Sequence, residues 1–439
     1  MANQRHVDRL SDLPDCLLHD ILSRLKARQL VHTCVLSSRW CHLWLSAPCL
    51  DIDARELTSV ASQFNGEDDE ELDRMDDFVD SLLLHRAACA SPLDSLRLSV
   101  PPSLRHDHVY RSCCSYTWWV RRGLRCSPET LDVSGIKLPP LASGSGTHRL
   151  TKLRLHQVRL HDDFEKHLSS GLPVLQDLEI RGTDLSNISR IASHTLKNLI
   201  VDNSHTSKEG ASLEFLIDAP RLASLLLVVQ FQGLGLFDVT LCEAASPIQA
   251  SIQFLDTSRH CWQDEGDLLT TICTLLRSLS NVTCLELSGF MALGEQQIPA
   301  DTPFPVGVYR TTAWTRAMLQ AIIDEKEIKL PQFLNLKTLV LDKCEIGDNI
   351  QMLWSFLRNT PALEKLILNN CGCQKFSYGA ASNIFEMGYI TANLKLVEIK
   401  YSHGDDHQGQ DTPQMEKILS MVRRDLPVPT KIDVSKVEK

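Results

Sequence analysis

The chain has 439 residues, more than one ordinary core accommodates, so two units or an elongated repeat array are expected. A net charge of −10 with no basic stripe argues against a nucleic-acid binder that works by neutralising phosphates. The opening MANQRHVDRL is polar and the longest apolar run is Leu225 to Val229, so neither a signal peptide nor a bilayer span is expected, and the reading is a soluble protein of the cytoplasm and/or nucleus with no membrane or nucleic-acid partner.

The first predicted element is a helix. Pro14 suits a first turn, where its missing N–H costs nothing, and Leu17, Ile21 and Leu25 recur at i, i+4 and i+8 with Leu18 and Leu22 widening the stripe. A second apolar stripe, Leu30, Val31, Cys34 and Val35, follows the polar break Lys26 to Gln29. Ser37 or Ser38 is placed to cap a third helix, on which Trp40, Leu43 and Trp44 share a face until Pro48 ends it. Three amphipathic turns in roughly forty residues are near the lower size limit for a core without metals or disulfides, so such a unit leaves apolar surface for a partner.

The segment resembles an F-box, the module by which one class of proteins joins cullin-RING ubiquitin ligases through a Skp-family adaptor. The matching residues are Leu13-Pro14, Leu17-Leu18, Ile21-Leu22, Val35-Leu36-Ser37, Arg39-Trp40 and Leu43-Trp44. The resemblance implies adaptor contacts from Leu13, Pro14, Leu17, Leu18, Ile21, Leu22, Val35, Leu36, Trp40, Leu43 and Trp44, and indirect partners in the cullin and RING subunits.

Next comes GEDDEELDRMDD, from Gly66 to Asp77, which reads as a solvated acidic loop before Phe78, Leu82 and Leu83 begin a helical stripe. An internal repeat then takes over. The phrase L-x-x-L-x-L, with conservative swaps, recurs as Leu93/Leu96/Leu98, Leu150/Leu153/Leu155, Leu175/Leu178/Ile180, Leu196/Leu199/Val201 and Leu222/Leu225/Leu227. It returns as Val282/Leu285/Leu287, Leu336/Leu339/Leu341, Leu363/Leu366/Leu368 and Leu394/Val397/Ile399, with weaker copies at Leu131 and Ile252. Where copies are clear they lie roughly 20 to 30 residues apart, the period of a leucine-rich repeat in which each coil is a short strand and a returning helix or turn. In two coils a cysteine, Cys344 or Cys371, follows three residues after the last strand leucine, where a small side chain must fit inside the turn; both read as buried structural thiols.

Strand alternation divides the coils' side chains. With Leu153 and Leu155 inward, Lys152, Arg154 and His156 point out, as do Asp177, Glu179 and Arg181 in a neighbouring coil. In later coils the outward positions become apolar, and Leu226, Val228, Val340 and Ile367 are the candidate target-binding residues. The stretch from Pro299 to Leu330 is longer than one coil needs and is expected as a surface insertion.

A leucine-rich array behind an F-box resembles the plant-type F-box/leucine-rich-repeat family, including its F-box/FBD members. The resemblance implies an α/β fold: a small three-helix F-box at 8–50, an acidic linker and helix at 51–92, a curved leucine-rich-repeat solenoid with short parallel strands at 93–400 carrying an insertion near 291–332, and an FBD-like cap at 401–439. It also implies that the repeats capture a protein substrate for ubiquitination, its identity unspecified. The alternative is a leucine-rich-repeat scaffold or ligand sensor without ligase function.

Catalytic and metal motifs are missing. There is no GxSxG elbow, phosphate loop, HExxH or dinucleotide fingerprint, so the chain reads as a non-catalytic receptor subunit without a cofactor. Its fifteen cysteines are odd in number and scattered; Cys113-Cys114 and the Cys371/Cys373 pair lack zinc-site spacing, and His403 and His407 read as part of a solvated turn.

Overall fold

The computed structural model describes residues 13–57, 69–89, 91–101, 110–141, 146–203, 213–231, 237–242, 247–256, 265–289, 330–343, 351–371, 393–401 and 430–436. The Pro299 to Val308 part of the insertion, Cys344 and the His403/His407 turn lie outside them, as do the side chains of Cys113 and Cys114. The chain forms two compact units, Met1–Leu196 with His205–Ser207, and Lys197–Ser204 with Lys208–Lys439.

The first unit begins with helices α1 (Asp15–Leu22), α2 (Ala27–His32) and α3 (Trp40–Leu43), a 3-10 turn over Thr33–Val35 preceding the last. Pro14 itself is the N-cap of α1, in extended conformation, and its carbonyl accepts the amides of Leu17 (3.1 Å) and Leu18 (3.2 Å). Arg39, not the expected serine, occupies the N-cap of α3, without a side-chain cap bond, and Ser37 supplies its carbonyl to the Trp40 amide at 3.1 Å.

Strand β1 (Cys49–Asp53) follows almost at once and pairs in parallel with β2 (Ser95–Ser99). Between them, after α4 (Ala54–Leu57), runs α5 (Asp69–Ala87). The acidic run expected as a loop is, from Asp69 onward, the start of this helix. Carboxylates near a helix N-terminus are favoured by its partial positive charge, Arg74 bonds Glu70 one turn back at 3.1 Å, and Met75 is buried. Helix α6 (Tyr110–Leu124) packs on α5, where Trp119 Nε1 donates to Asp76 at 3.1 Å and Arg122 pairs with Asp80.

The sheet of this unit continues through β3 (Thr130–Ser134), β4 (Lys152–His156) and β5 (Asp177–Arg181), each parallel to its predecessor and in register. Helix α7 (Phe164–Ser170) and strand β6 (Arg190–Ala192), which lies outside that ladder, complete the unit, and Glu165 of α7 accepts the Arg190 amide at 3.1 Å.

In the second unit, β7 (Asn198–Asp202), β9 (Ser224–Phe231) and β11 (Gln249–Asp256) are parallel neighbours, while β8 (Leu213–Asp218) pairs with β10 (Phe237–Leu241). Helix α8 (Glu265–Ser278) leads to β12 (Cys284–Ser288), followed by β13 (Thr338–Asp342), α9 (Gln351–Arg358), β14 (Lys365–Asn369), β15 (Leu396–Tyr401) and β16 (Lys431–Lys436), again a parallel ladder. Every copy of the leucine phrase, the two weak ones included, supplies one strand, and its leucine positions are buried.

One turn recurs. Two residues past the last apolar strand position, Gly135, Gln157, Gly182, Gly289, Lys343 and Asn370 all have positive φ. That twist sends five of these six amides to the neighbouring coil; Gln157 N–H, for example, reaches the Arg181 carbonyl at 2.8 Å, Lys343 the Asn369 carbonyl at 2.8 Å, and Asn370 the Lys400 carbonyl at 2.8 Å. At those turns the ladder gains one hydrogen bond beyond the strand, at the cost of left-handed backbone in the side-chain-bearing residues Gln157, Lys343 and Asn370.

Candidate functional site

The N-terminal module separates the expected contact residues into two groups. Leu18 and Leu22 are 0 % exposed and Trp40 and Leu43 nearly so, which makes them the core of the module. These four side chains pack the interior of the module. Exposed instead are Leu17 (47 %), Ile21 (39 %), Val35 (87 %) and Leu36 (57 %); Pro14 is exposed too, and Leu13 and Trp44 are half-buried. The i, i+4 spacing puts Leu17 and Ile21 on one face of α1, opposite in role to Leu18 and Leu22. An ion pair between Arg39 and Asp15 ties the segment just after Leu36 to the start of that helix.

Behind this surface the module is anchored to the sheet of its own unit. Lys26 pairs with Asp53 at the end of β1, and although burial opposes its charge, that carboxylate holds the ammonium above its usual range. Arg28 Nη1 donates to the Glu56 carbonyl at 2.9 Å, and His19 Nε2 lies 2.9 Å from Ser46 Oγ. The strongest tie is Arg86 of α5, 2 % exposed, whose guanidinium donates to the carbonyls of Ser91 (2.7 Å), Pro92 (3.1 Å) and Ala47 (3.2 Å). Burial pushes its pKa down from the ordinary arginine value. Sequence reasoning missed Arg86, because nothing in SLLLHRAACA distinguishes a buried arginine from a solvated one.

The outward strand positions of the first unit are charged, as the alternation predicts. In register across five strands stand Asp51, Arg97, Asp132, Arg154 and Glu179, alternating in sign. Arg97 bridges Asp51 (3.2 Å) and Asp132 (3.3 Å), Arg154 meets Glu179 at 3.3 Å, and Lys152 lies 3.6 Å from Asp177. Each carboxylate of the row faces an arginine, and Arg181 adds a second to Glu179.

The second unit carries the apolar candidates. Leu226, Val340 and Ile367 are half-buried on the outward side, but Val228 is 7 % exposed and does not belong to that surface. Strands β9 and β11 have eight residues each against the five of β7, so Val228 lies within its strand, between Asp202 and Gln253, instead of at a strand end. Cys371, expected as a buried thiol, is half-buried, with its thiol 3.4 Å from the Leu341 carbonyl. Among the described residues no group of histidines, cysteines and carboxylates could hold a metal ion, and no helix is long and apolar enough to cross a membrane.

Comparison with known proteins adds independent findings. The F-box domain family matches residues 10–51. The chain is similar to the meiotic F-box protein MOF of Oryza sativa subsp. japonica, 32 % identical over 435 residues that cover 91 % of this chain and 81 % of that protein. It is also similar to an F-box/FBD/LRR-repeat protein of Arabidopsis thaliana, 27 % identical with 96 % and 97 % of the two chains covered. A third relative, an F-box/LRR-repeat protein of Arabidopsis thaliana, is 24 % identical over 82 % of this chain and 54 % of its own.

Proposed function

The chain belongs to the plant F-box/leucine-rich-repeat family, and from that premise we propose that it is the substrate-recognition subunit of an SCF-type cullin-RING E3 ubiquitin ligase. In this reading the module at 8–50 binds a Skp-family adaptor and the repeats of 93–400, arranged as a curved solenoid closed by the FBD-like segment at 401–439, hold the target. The chain makes no bond itself. It raises the effective concentration of a target lysine near a ubiquitin-charged enzyme brought by the cullin and RING subunits.

The observation that carries the reading is the exposure of Leu17, Ile21, Val35 and Leu36 on a module whose own core is already closed by Leu18, Leu22, Leu30 and Trp40. Taking such a side chain from full exposure to full burial contributes roughly 1.5–3 kcal/mol, so several partly exposed ones suffice for a specific complex. The test is co-purification with a Skp-family adaptor. Leu17→Asp with Ile21→Asp, and separately Val35→Asp with Leu36→Asp, should each weaken adaptor binding by more than about tenfold while thermal unfolding is unchanged. Trp40→Ala should instead lower the melting temperature of the free chain. Undiminished adaptor binding by both charged pairs would sink the proposal.

A further inference from the structure

In the second unit the outward residues Leu226, Ser251, Glu286, Val340 and Ile367 stand side by side in register on β9, β11, β12, β13 and β14. Strands lie about 4.8 Å apart, so the row is about 19 Å long, the reach of about six residues of extended chain. All five side chains are half-buried, with aliphatic groups on both sides of one carboxylate.

That carboxylate differs from those on the outward row of the first unit and from Glu398 on β15. In the first unit Asp51, Asp132 and Glu179 each have an arginine within 3.3 Å. On β15, Glu398 is held by Lys365 at 2.6 Å and by Lys400 at 3.3 Å. Glu286 has no hydrogen bond or ion pair among the described residues. Its surroundings register the excess negative charge. The carboxyl of Asp342, at the end of β13, is pushed up by burial and further by Glu286, against the pull of Lys343. The thiol of Cys284, two positions before Glu286, is raised by burial and by the same carboxylate.

We propose that this row is the docking surface for an extended target segment bearing a lysine or arginine between aliphatic side chains, the cation meeting Glu286 and the aliphatic groups covering Leu226 on one side and Val340 and Ile367 on the other. A half-buried carboxylate gains more from a cation than an exposed one does, because water screens the pair less. The role as a substrate surface rests on the receptor reading; the binding itself does not.

The experiment therefore uses the full chain without an adaptor. Fluorescein-labelled eight-residue peptides, with a fixed central Lys, Arg, Gln or Glu between degenerate Val, Leu and Ser positions, are titrated by anisotropy. The Lys and Arg sets should bind at least about tenfold tighter than the Glu set, with the preference shrinking as salt is raised. The near-isosteric Glu286→Gln should abolish that preference and Glu286→Lys should reverse it. If the Lys and Arg sets do not bind, if the Gln set binds as tightly as they do, or if Glu286→Gln keeps the preference, the proposal is overturned. Adaptor co-purification, measured separately, reports on the receptor reading alone.

Discussion

At the scale of single residues, the left-handed turn that follows six of the strands sets the tightest demand on the sequence. Gly289 has φ of +89°, and a Cβ built there would stand 1.8 Å from the Phe254 carbonyl oxygen. Neither atom is on a flexible side chain, so the backbone of two coils would have to part. Gly289→Ala should therefore cost about 2–3 kcal/mol or more, read as a fall in denaturant midpoint. At Lys343, where φ is +50°, the reverse holds: a glycine relieves about 1–2 kcal/mol of left-handed strain and gives back about half in unfolded-chain entropy. These positions were legible in principle, since Gly135, Gly182, Gly289 and Asn370 fall at one fixed offset from the strand leucines. Gln157 and Lys343 share the conformation without the residue type that would announce it.

At the scale of elements, the leucine phrase predicted strands wherever it occurred, because two buried positions two residues apart fix both the strand and its inward face. It could not reveal β1 or β16, whose Leu50/Ile52 and Ile432/Val434 pairs lack the leading leucine, nor the pairing of β8 with β10. The helix over the acidic run was missed for a different reason: carboxylates in sequence look like a solvated loop until Met75 and Asp76 find a packing partner in α6. Arg86 is the clearest case of an element-level tie. Its three carbonyl partners come from the end of the F-box region and the approach to β2, so one side chain orders both segments. Arg86→Ala leaves those carbonyls in a site closed to water and should cost roughly 3 kcal/mol. Hydrogen exchange checks it: the amides of Asp94 and Ser95, which bond the Pro48 carbonyl at 2.8 and 3.2 Å, should lose protection ahead of β4 and β5.

At the scale of the whole molecule, the proposed function makes the adaptor a stabilising ligand. Adaptor at a hundredfold excess over its Kd adds about 2.7 kcal/mol to the unit it binds, which thermal unfolding should show as a raised Tm for the wild-type chain. The Leu17→Asp, Ile21→Asp pair should show no such shift, and a shift of equal size in that variant would place the contact elsewhere. The sequence by itself determined the class of the protein: the F-box pattern, the recurring leucine phrase and the family follow from which residues are apolar and at what spacing, and both are local properties of the chain. Tertiary structure alone decided which apolar residues remain available. Leu17 and Leu18 are adjacent and chemically identical, yet one is exposed and the other is core; Leu226 faces outward while Val228, two residues on and nominally on the same side, is buried. The same holds for charge. Asp132 and Glu286 are both outward carboxylates, but only strand register brings Arg97 to the first and leaves the second without a cation among the described residues. Availability depends on what the neighbouring strand or helix presents, and those neighbours lie tens of residues away in the chain.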